Sequence, residues 1–107
     1  MSNGQDARRV KLDLNNPEFH ESLFTLDKTE RNRVIETLAK IYRMTWTQVY
    51  QHPGLKWEEI KSLPVQLQSG EKVYSIRISQ ARRAVVTRRG DFMRFLTLPQ
   101  DHDSTFK

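Results

Sequence analysis

The sequence predicts an α+β domain: a small antiparallel sheet, made of an N-terminal strand plus a C-terminal three-stranded meander, packed against two to three helices. Three observations predict it. In the first half, apolar residues recur at helical spacing behind recognisable helix caps; after Pro64 they recur at every second position; and the breaks between those later runs are short enough for hairpins. A chain of 107 residues has room for one such domain, expected over residues 9–107 behind a disordered tail at residues 1–8.

The elements follow in order. Val10, Leu12 and Leu14 alternate with polar neighbours across Arg9 to Leu14, the pattern of a short strand. Asn16-Pro17 then reads as a helix cap followed by proline at the first helical position, and Phe19, Leu23 and Leu26 line one face of a helix over 17–26. Asp27, with Glu30 three residues later, starts a second helix over 28–42, whose apolar stripe is Val34, Leu38, Ile41 and Tyr42. Thr45 and Gln48 bracket a further short helix through Tyr50, which His52-Pro53-Gly54 ends. Leu55, Trp57, Ile60 and Leu63 follow no single period and read as a short helix or an irregular packing segment. Beyond Pro64, Tyr74, Ile76 and Ile78 alternate, then Ala84 and Val86, and a third run extends from Phe92 to Leu98. Ser79-Gln80-Ala81 and Arg88-Arg89-Gly90-Asp91 separate these runs as hairpin connections.

Composition excludes several classes. With no cysteine there is no zinc ribbon, thiol nucleophile or cystine-stapled scaffold, and a reducing cytoplasm is the expected compartment. No apolar stretch follows Met1, so neither a secretory leader nor a membrane partner is expected. The net charge of +5 is unevenly placed. From Lys72 to Arg94 there are seven basic residues against Asp91 alone, a local +6 that leaves −1 for the rest. A basic excess concentrated in the meander points to an anionic partner.

Alternation refines that expectation. If helices cover the side of Ile76, Ile78, Ala84 and Val86, the opposite side shows Arg77 and Arg83 on adjacent strands, where two guanidinium forks can clamp a phosphate. Arg94 shares a side with Phe92 and Leu96 and joins that cluster only if its strand is bulged or its two faces differ in exposure. The plainer reading is a solvated sheet face, and Arg88 and Arg89 read as exposed hairpin tips. Trp46, Tyr50 and Trp57 fit core or interface packing better than an RNA stacking platform. His20, inside a helix, and His52, in a loop, carry little weight. Asp101-His102-Asp103 offers metal donors, but three adjacent residues do not converge easily on one centre, so neither a metal nor a cofactor is expected.

The run Tyr74 to Thr87 with its Arg77 and Ala81-Arg82-Arg83-Ala84-Val85-Val86, the run Arg89-Gly90-Asp91-Phe92-Met93-Arg94-Phe95-Leu96, the ending Asp101-His102-Asp103-Ser104-Thr105-Phe106 and the segment Leu55-Lys56-Trp57-Glu58 resemble the RelE/ParE superfamily of toxins from bacterial toxin–antitoxin systems. The resemblance extends from about Arg9 to Phe106 and includes the order of the elements. It implies a metal-independent, ribosome-associated mRNA endonuclease that inhibits translation, held in check by a cognate acidic antitoxin. Its implied catalytic residues are Arg83, which stands just before the apolar run of the middle strand, Arg77 and His102; the attack of a 2′-hydroxyl also needs a base, for which Glu58 or Glu59 is the candidate. Lys61, Lys72, Arg82, Arg94 and Phe106 make up the RNA-contacting set. The sequence departs from the pattern at Phe106, where many active members carry a tyrosine whose hydroxyl takes part in proton transfer. Two alternatives therefore stay open: a ParE-like toxin that binds a protein target such as DNA gyrase, and a non-catalytic RNA- or protein-binding relative.

Overall fold

The computed structural model describes residues 6–61 and 71–100, which form one mixed sheet with helices on one of its faces. In chain order the elements are β1 (Lys11–Asp13), α1 (Pro17–Phe24), α2 (Lys28–Tyr42), α3 (Trp46–Gln51), β2 (Glu58–Ile60), β3 (Val73–Ser79), β4 (Arg82–Arg89) and β5 (Phe92–Thr97). The sheet order is β1-β5-β4-β3-β2. Among the described residues no helix is long and apolar enough to cross a membrane.

Local signals set the helices. Asn16 caps α1 by accepting from the Glu18 N–H, Asp27 caps α2 by accepting from the Glu30 N–H, and Thr45 and Gln48 form a reciprocal capping box on α3. One expectation on α2 changes. Tyr42, read as part of the inner stripe, is 61% exposed, and Thr37 takes the buried place beside Val34, Leu38 and Ile41. The buried arc is centred between Val34 and Ile41, and Tyr42 lies past its edge.

The sheet corrects two expectations. It is not wholly antiparallel: β1 runs parallel to β5, with Leu12 opposite Met93. Alternation along Val10, Leu12 and Leu14 states which face a side chain takes and is silent on strand direction. In addition, Glu58–Ile60, read as a helix or an irregular segment, is an edge strand that pairs Glu58 with Ser75 and Ile60 with Val73. Three residues are too few to display a period, and backbone pairing to β3 defines this strand. Leu55, just before it, is buried and its carbonyl accepts from the Arg77 N–H at 2.7 Å.

Ile76, Ala84, Val86, Met93 and Phe95 point from the sheet into the helices, where they meet Phe19, Leu23, Val34, Leu38, Ile41, Trp46 and Val49. The Phe19 and Phe95 rings pack 5.5 Å apart at the centre. Asp6 and Arg8, expected in a loose terminus, are fixed to α3. The Asp6 carbonyl accepts from the Thr47 N–H at 3.0 Å, and the Arg8 carbonyl accepts from the Trp46 N–H at 3.0 Å. These contacts satisfy N–H groups that the first turn of a helix leaves open.

Candidate functional site

The face of the sheet opposite the helices carries the site, and Ser75 and Thr87 on that face are buried. Arg77 on β3 and Arg83 on β4 are direct cross-strand partners, and Glu58 on β2 stands opposite Ser75, two residues from Arg77 on the same face. Pairing therefore assembles an Arg–Arg–Glu group from three consecutive strands of the sheet. Arg83 is held within it: its Nη2 lies 3.3 Å from Glu58 Oε1, and its side chain is only 15% exposed against 59% for Glu58. Arg77 donates from Nη1 to the Ser79 carbonyl at 3.2 Å. A break in register between Arg77 and Ser79 bends the strand here. Bulges of this kind re-aim side chains at the ends of sheets.

The same break separates Arg82 from Arg83. Ser79 and Arg82 turn to the helical face, where the Ser79 hydroxyl and the Arg82 Nε lie 3.3 and 3.2 Å from Glu30 Oε1. Arg82 Nη1 also donates to the Leu98 carbonyl at 2.6 Å, and the side chain is 12% exposed. Arg82 thus ties β4 to α2 and to the end of β5, away from the outer face on which an RNA contact was expected.

The other expected contacts are dispersed. Arg94 does reach the outer face, because it alternates with the core residues Met93 and Phe95, but its Nε lies 3.5 Å from Asp13 Oδ2 and its Nη1 3.9 Å from Glu71 Oε1. Lys61 follows β2 and Lys72 precedes β3, where Ile60 pairs with Val73, so both exposed lysines leave the sheet at the end remote from the bulge. His102 and Phe106 lie outside the described residues, as does Leu63. Among the described residues no group of His, Asp and Glu side chains is placed to hold a metal ion.

Arg88 is the residue that the sequence reading missed. Expected as a solvated hairpin tip, it lies 4.1 Å over the Trp46 ring and donates to Tyr50 Oη at 2.6 Å, Asp6 Oδ2 at 2.6 Å and the Gly90 carbonyl at 2.7 Å. The signal was present: Arg88 continues the Ala84, Val86 alternation and so belongs on the covered face. Burial opposes its charge, but the bonds to Asp6 and Tyr50 outweigh that and hold the guanidinium above its ordinary value. Arg8 and then Arg88 hold the Asp6 carboxyl well below the usual carboxylate range. Beside this pair Trp46, Tyr50, Trp57 and Tyr74 form an aromatic ladder, with Trp57 and Tyr74 stacked at 4.5 Å. Packing is their evident role, as the sequence suggested.

The basic segment thus meets carboxylates supplied from elsewhere in the chain: Glu30 on Arg82, Glu58 on Arg83, Asp6 on Arg88, Glu71 on Arg89, and Asp13 with Glu71 on Arg94. The Glu71 bond raises the affinity of Arg89 for its proton. Of these pairs, Arg83–Glu58 joins a largely covered cation to a mostly exposed carboxylate on an edge strand. It is the pair most easily opened by a competing anion.

No family model matches the sequence, and no curated protein matches it. Solved structures do match the fold. A chain of the archaeal RelE–RelB complex from Pyrococcus horikoshii superposes with a TM-score of 0.56 at 14% identity, over 88% of this chain and 94% of that one. The YoeB dimer of Staphylococcus aureus gives 0.49 at 20% identity over 83% and 93%, and a copper-bound mutant toxin from Helicobacter pylori gives 0.49 at 19% over 88% and 97%. At such identities the likeness is one of architecture, and by its architecture this chain has the RelE-type toxin fold.

Proposed function

We propose that this protein is the toxin of a toxin–antitoxin pair and cuts mRNA on the ribosome without a metal ion. The observation that carries this reading is the direct pairing of Arg77 with Arg83 on the face opposite the helices, with the Glu58 carboxylate 3.3 Å from Arg83. RNA supplies its own nucleophile. Glu58 takes the proton of a 2′-hydroxyl, the 2′-oxygen attacks the adjacent phosphorus, and the bond to the 5′-oxygen breaks, leaving a 2′,3′-cyclic phosphate and a 5′-hydroxyl. Arg83 and Arg77 offset the charge that accumulates on the phosphorane oxygens, the term that preorganised donors serve best. His102 is our candidate for the proton that the departing 5′-oxygen needs. The scissile phosphate takes the place of Glu58 on Arg83, which frees the carboxylate to act as base.

A cognate antitoxin fits the same chemistry. An acidic segment that orders on binding would compete with RNA for Arg77 and Arg83. Induced expression of the wild-type chain is expected to arrest growth, with ribosome-bound mRNA ending in 2′,3′-cyclic phosphate. Arg83→Ala is expected to lower the cleavage rate by about 100-fold, the usual effect of losing one preorganised donor. Growth without arrest, or arrest with uncut mRNA, defeats the reading.

One observation favours a second reading. The carboxylates on Arg82, Arg83, Arg88, Arg89 and Arg94 lower the charge available for RNA, as suits a ParE-like toxin directed at a protein such as gyrase, or a non-catalytic relative. Phe106 in place of tyrosine points the same way. Inhibited supercoiling with intact mRNA selects the gyrase arm, and RNA binding with neither cleavage nor growth arrest selects the non-catalytic one.

A further inference from the structure

The aromatic ladder ends in an open cavity of about 460 Å³ lined by Arg8, Glu71, Lys72, Tyr74, Arg88 and Gly90. It lies at the end of the sheet remote from the Arg77–Arg83 pair. Lys72 precedes Arg77 by five residues and Arg88 follows Arg83 by as many, about 17 Å at the rise of a strand. Three of the lining side chains are cations. Two of them are held by carboxylates outside the lining: Asp6 accepts from Arg8 Nε and Nη2 at 3.1 Å each and from Arg88 Nη2 at 2.6 Å, and Arg8 Nη1 lies 3.1 Å from Asp91 Oδ1. Their forks are therefore oriented before any ligand arrives. The one lining carboxylate, Glu71, is drawn toward Arg89 at 2.7 Å. Lys72 is exposed and has no ion pair among the described residues, so it supplies the cavity with positive charge in excess.

The remaining wall is aromatic. Tyr74 stacks on Trp57 with a 23° tilt, and Trp57 packs edge-on against Trp46 and Tyr50. The Tyr74 ring is thereby fixed as a platform at the rim. Gly90 adds no side chain to the lining, and a Cβ built there would meet nothing within 4 Å. An anion alone would use the cations and waste the ring, and an uncharged aromatic would do the reverse. A ligand with both groups fits the whole wall.

We propose that this cavity binds a nucleoside 5′-phosphate, its base against Tyr74 and its phosphate among Lys72, Arg8 and Arg88, either as a free mononucleotide or as the 5′ end of an RNA strand. The site is separate from the Arg83 face and does not rest on the nuclease reading. The full chain is titrated with adenosine 5′-phosphate, inorganic phosphate, adenosine, and a 5′-phosphorylated hexaribonucleotide, following tryptophan fluorescence and heat. Adenosine 5′-phosphate is expected to quench Trp57 and to bind about tenfold or more tighter than phosphate, the gain that one stacked base confers. Tyr74→Leu removes that gain and keeps the weak phosphate binding. Lys72→Ala weakens both by about tenfold, while Arg83→Ala leaves both unchanged. In the Arg83→Ala chain, tighter binding of the hexaribonucleotide than of the mononucleotide, lost with Tyr74→Leu, assigns the site to an RNA end, and equal affinity assigns it to the free nucleotide. The proposal is overturned if adenosine 5′-phosphate binds no better than phosphate or adenosine, or if its binding survives both Tyr74→Leu and Lys72→Ala in variants that melt as the wild type does.

Discussion

Arg82 and Arg83 are adjacent in sequence and do opposite things. Arg82 is enclosed between Glu30 and the Leu98 carbonyl, whereas Arg83 faces out to a mostly exposed Glu58. Arg82→Ala leaves the Glu30 carboxylate with the Ser79 hydroxyl but without its cation, takes a donor from the Leu98 carbonyl, and is expected to cost about 1–3 kcal/mol in chemical denaturation. Arg83→Ala is expected to cost no more than about 1 kcal/mol, because a pair with so exposed a partner contributes little to stability. A loss of activity in Arg83→Ala with stability retained would separate function from folding. Asp6 provides the pH signal. Its carboxyl is held well below the ordinary value by Arg8 and Arg88, so its stabilising effect is complete above the unfolded value of about 4 and fades as pH falls below it. Asp6→Asn is therefore expected to melt earlier than wild type at pH 7, with the two curves converging as thermal melts are taken from pH 4 toward pH 2. Alternation along β4 already placed Arg83 opposite to the core and, followed further, would have placed Arg88 inside. The bulge that puts Ser79 on the helical face leaves no mark in the spacing, because Ile78 still looks like the next buried residue.

The helices were legible because their ends are chemical events local to a few residues. Asn16-Pro17, Asp27 and Thr45 with Gln48 each satisfy N–H groups within one turn, and no distant contact is needed to specify them. Thr45→Ala removes one half of the α3 capping box and is expected to cost about 1 kcal/mol, read as a shift in the denaturation midpoint. Since α3 carries Trp46 under Arg88, the same change should loosen the Asp6 attachment and show as faster amide exchange at Thr47. The β4–β5 turn was legible for a similar reason. Gly90 takes a left-handed φ of 61°, and a Cβ there meets nothing within 4 Å. Gly90→Ala is expected to cost about 1 kcal/mol through backbone conformation alone. β2 was not legible. Glu58–Ile60 is a strand because β3 offers its edge, and no property of those three residues declares it. Its recovery matters to function, since that pairing brings Glu58 to Arg83.

Across the whole molecule, the seven bases between Lys72 and Arg94 suggested a broad phosphate-facing surface. Folding breaks that surface up. Asp6, Asp13, Glu30, Glu58 and Glu71, all outside the segment, come to rest against its arginines, and Arg82 and Arg88 turn to the covered face. A test lies in the salt dependence of binding to single-stranded RNA. If all seven bases met phosphates, the slope of log K against log salt would be about −5; for two or three it would be about −2, and the smaller value is expected here. The amino-acid sequence by itself determined the helices, their caps, the meander, the covered face along Tyr74–Ile76 and Ala84–Val86 and the Arg77–Arg83 adjacency, because each depends on spacing within a few residues or across a short turn. Only the tertiary structure decided the direction of β1, the existence of β2 and which carboxylate neutralises which arginine. Those depend on groups far apart in the chain meeting in space, and neither periodicity nor local charge balance carries that information.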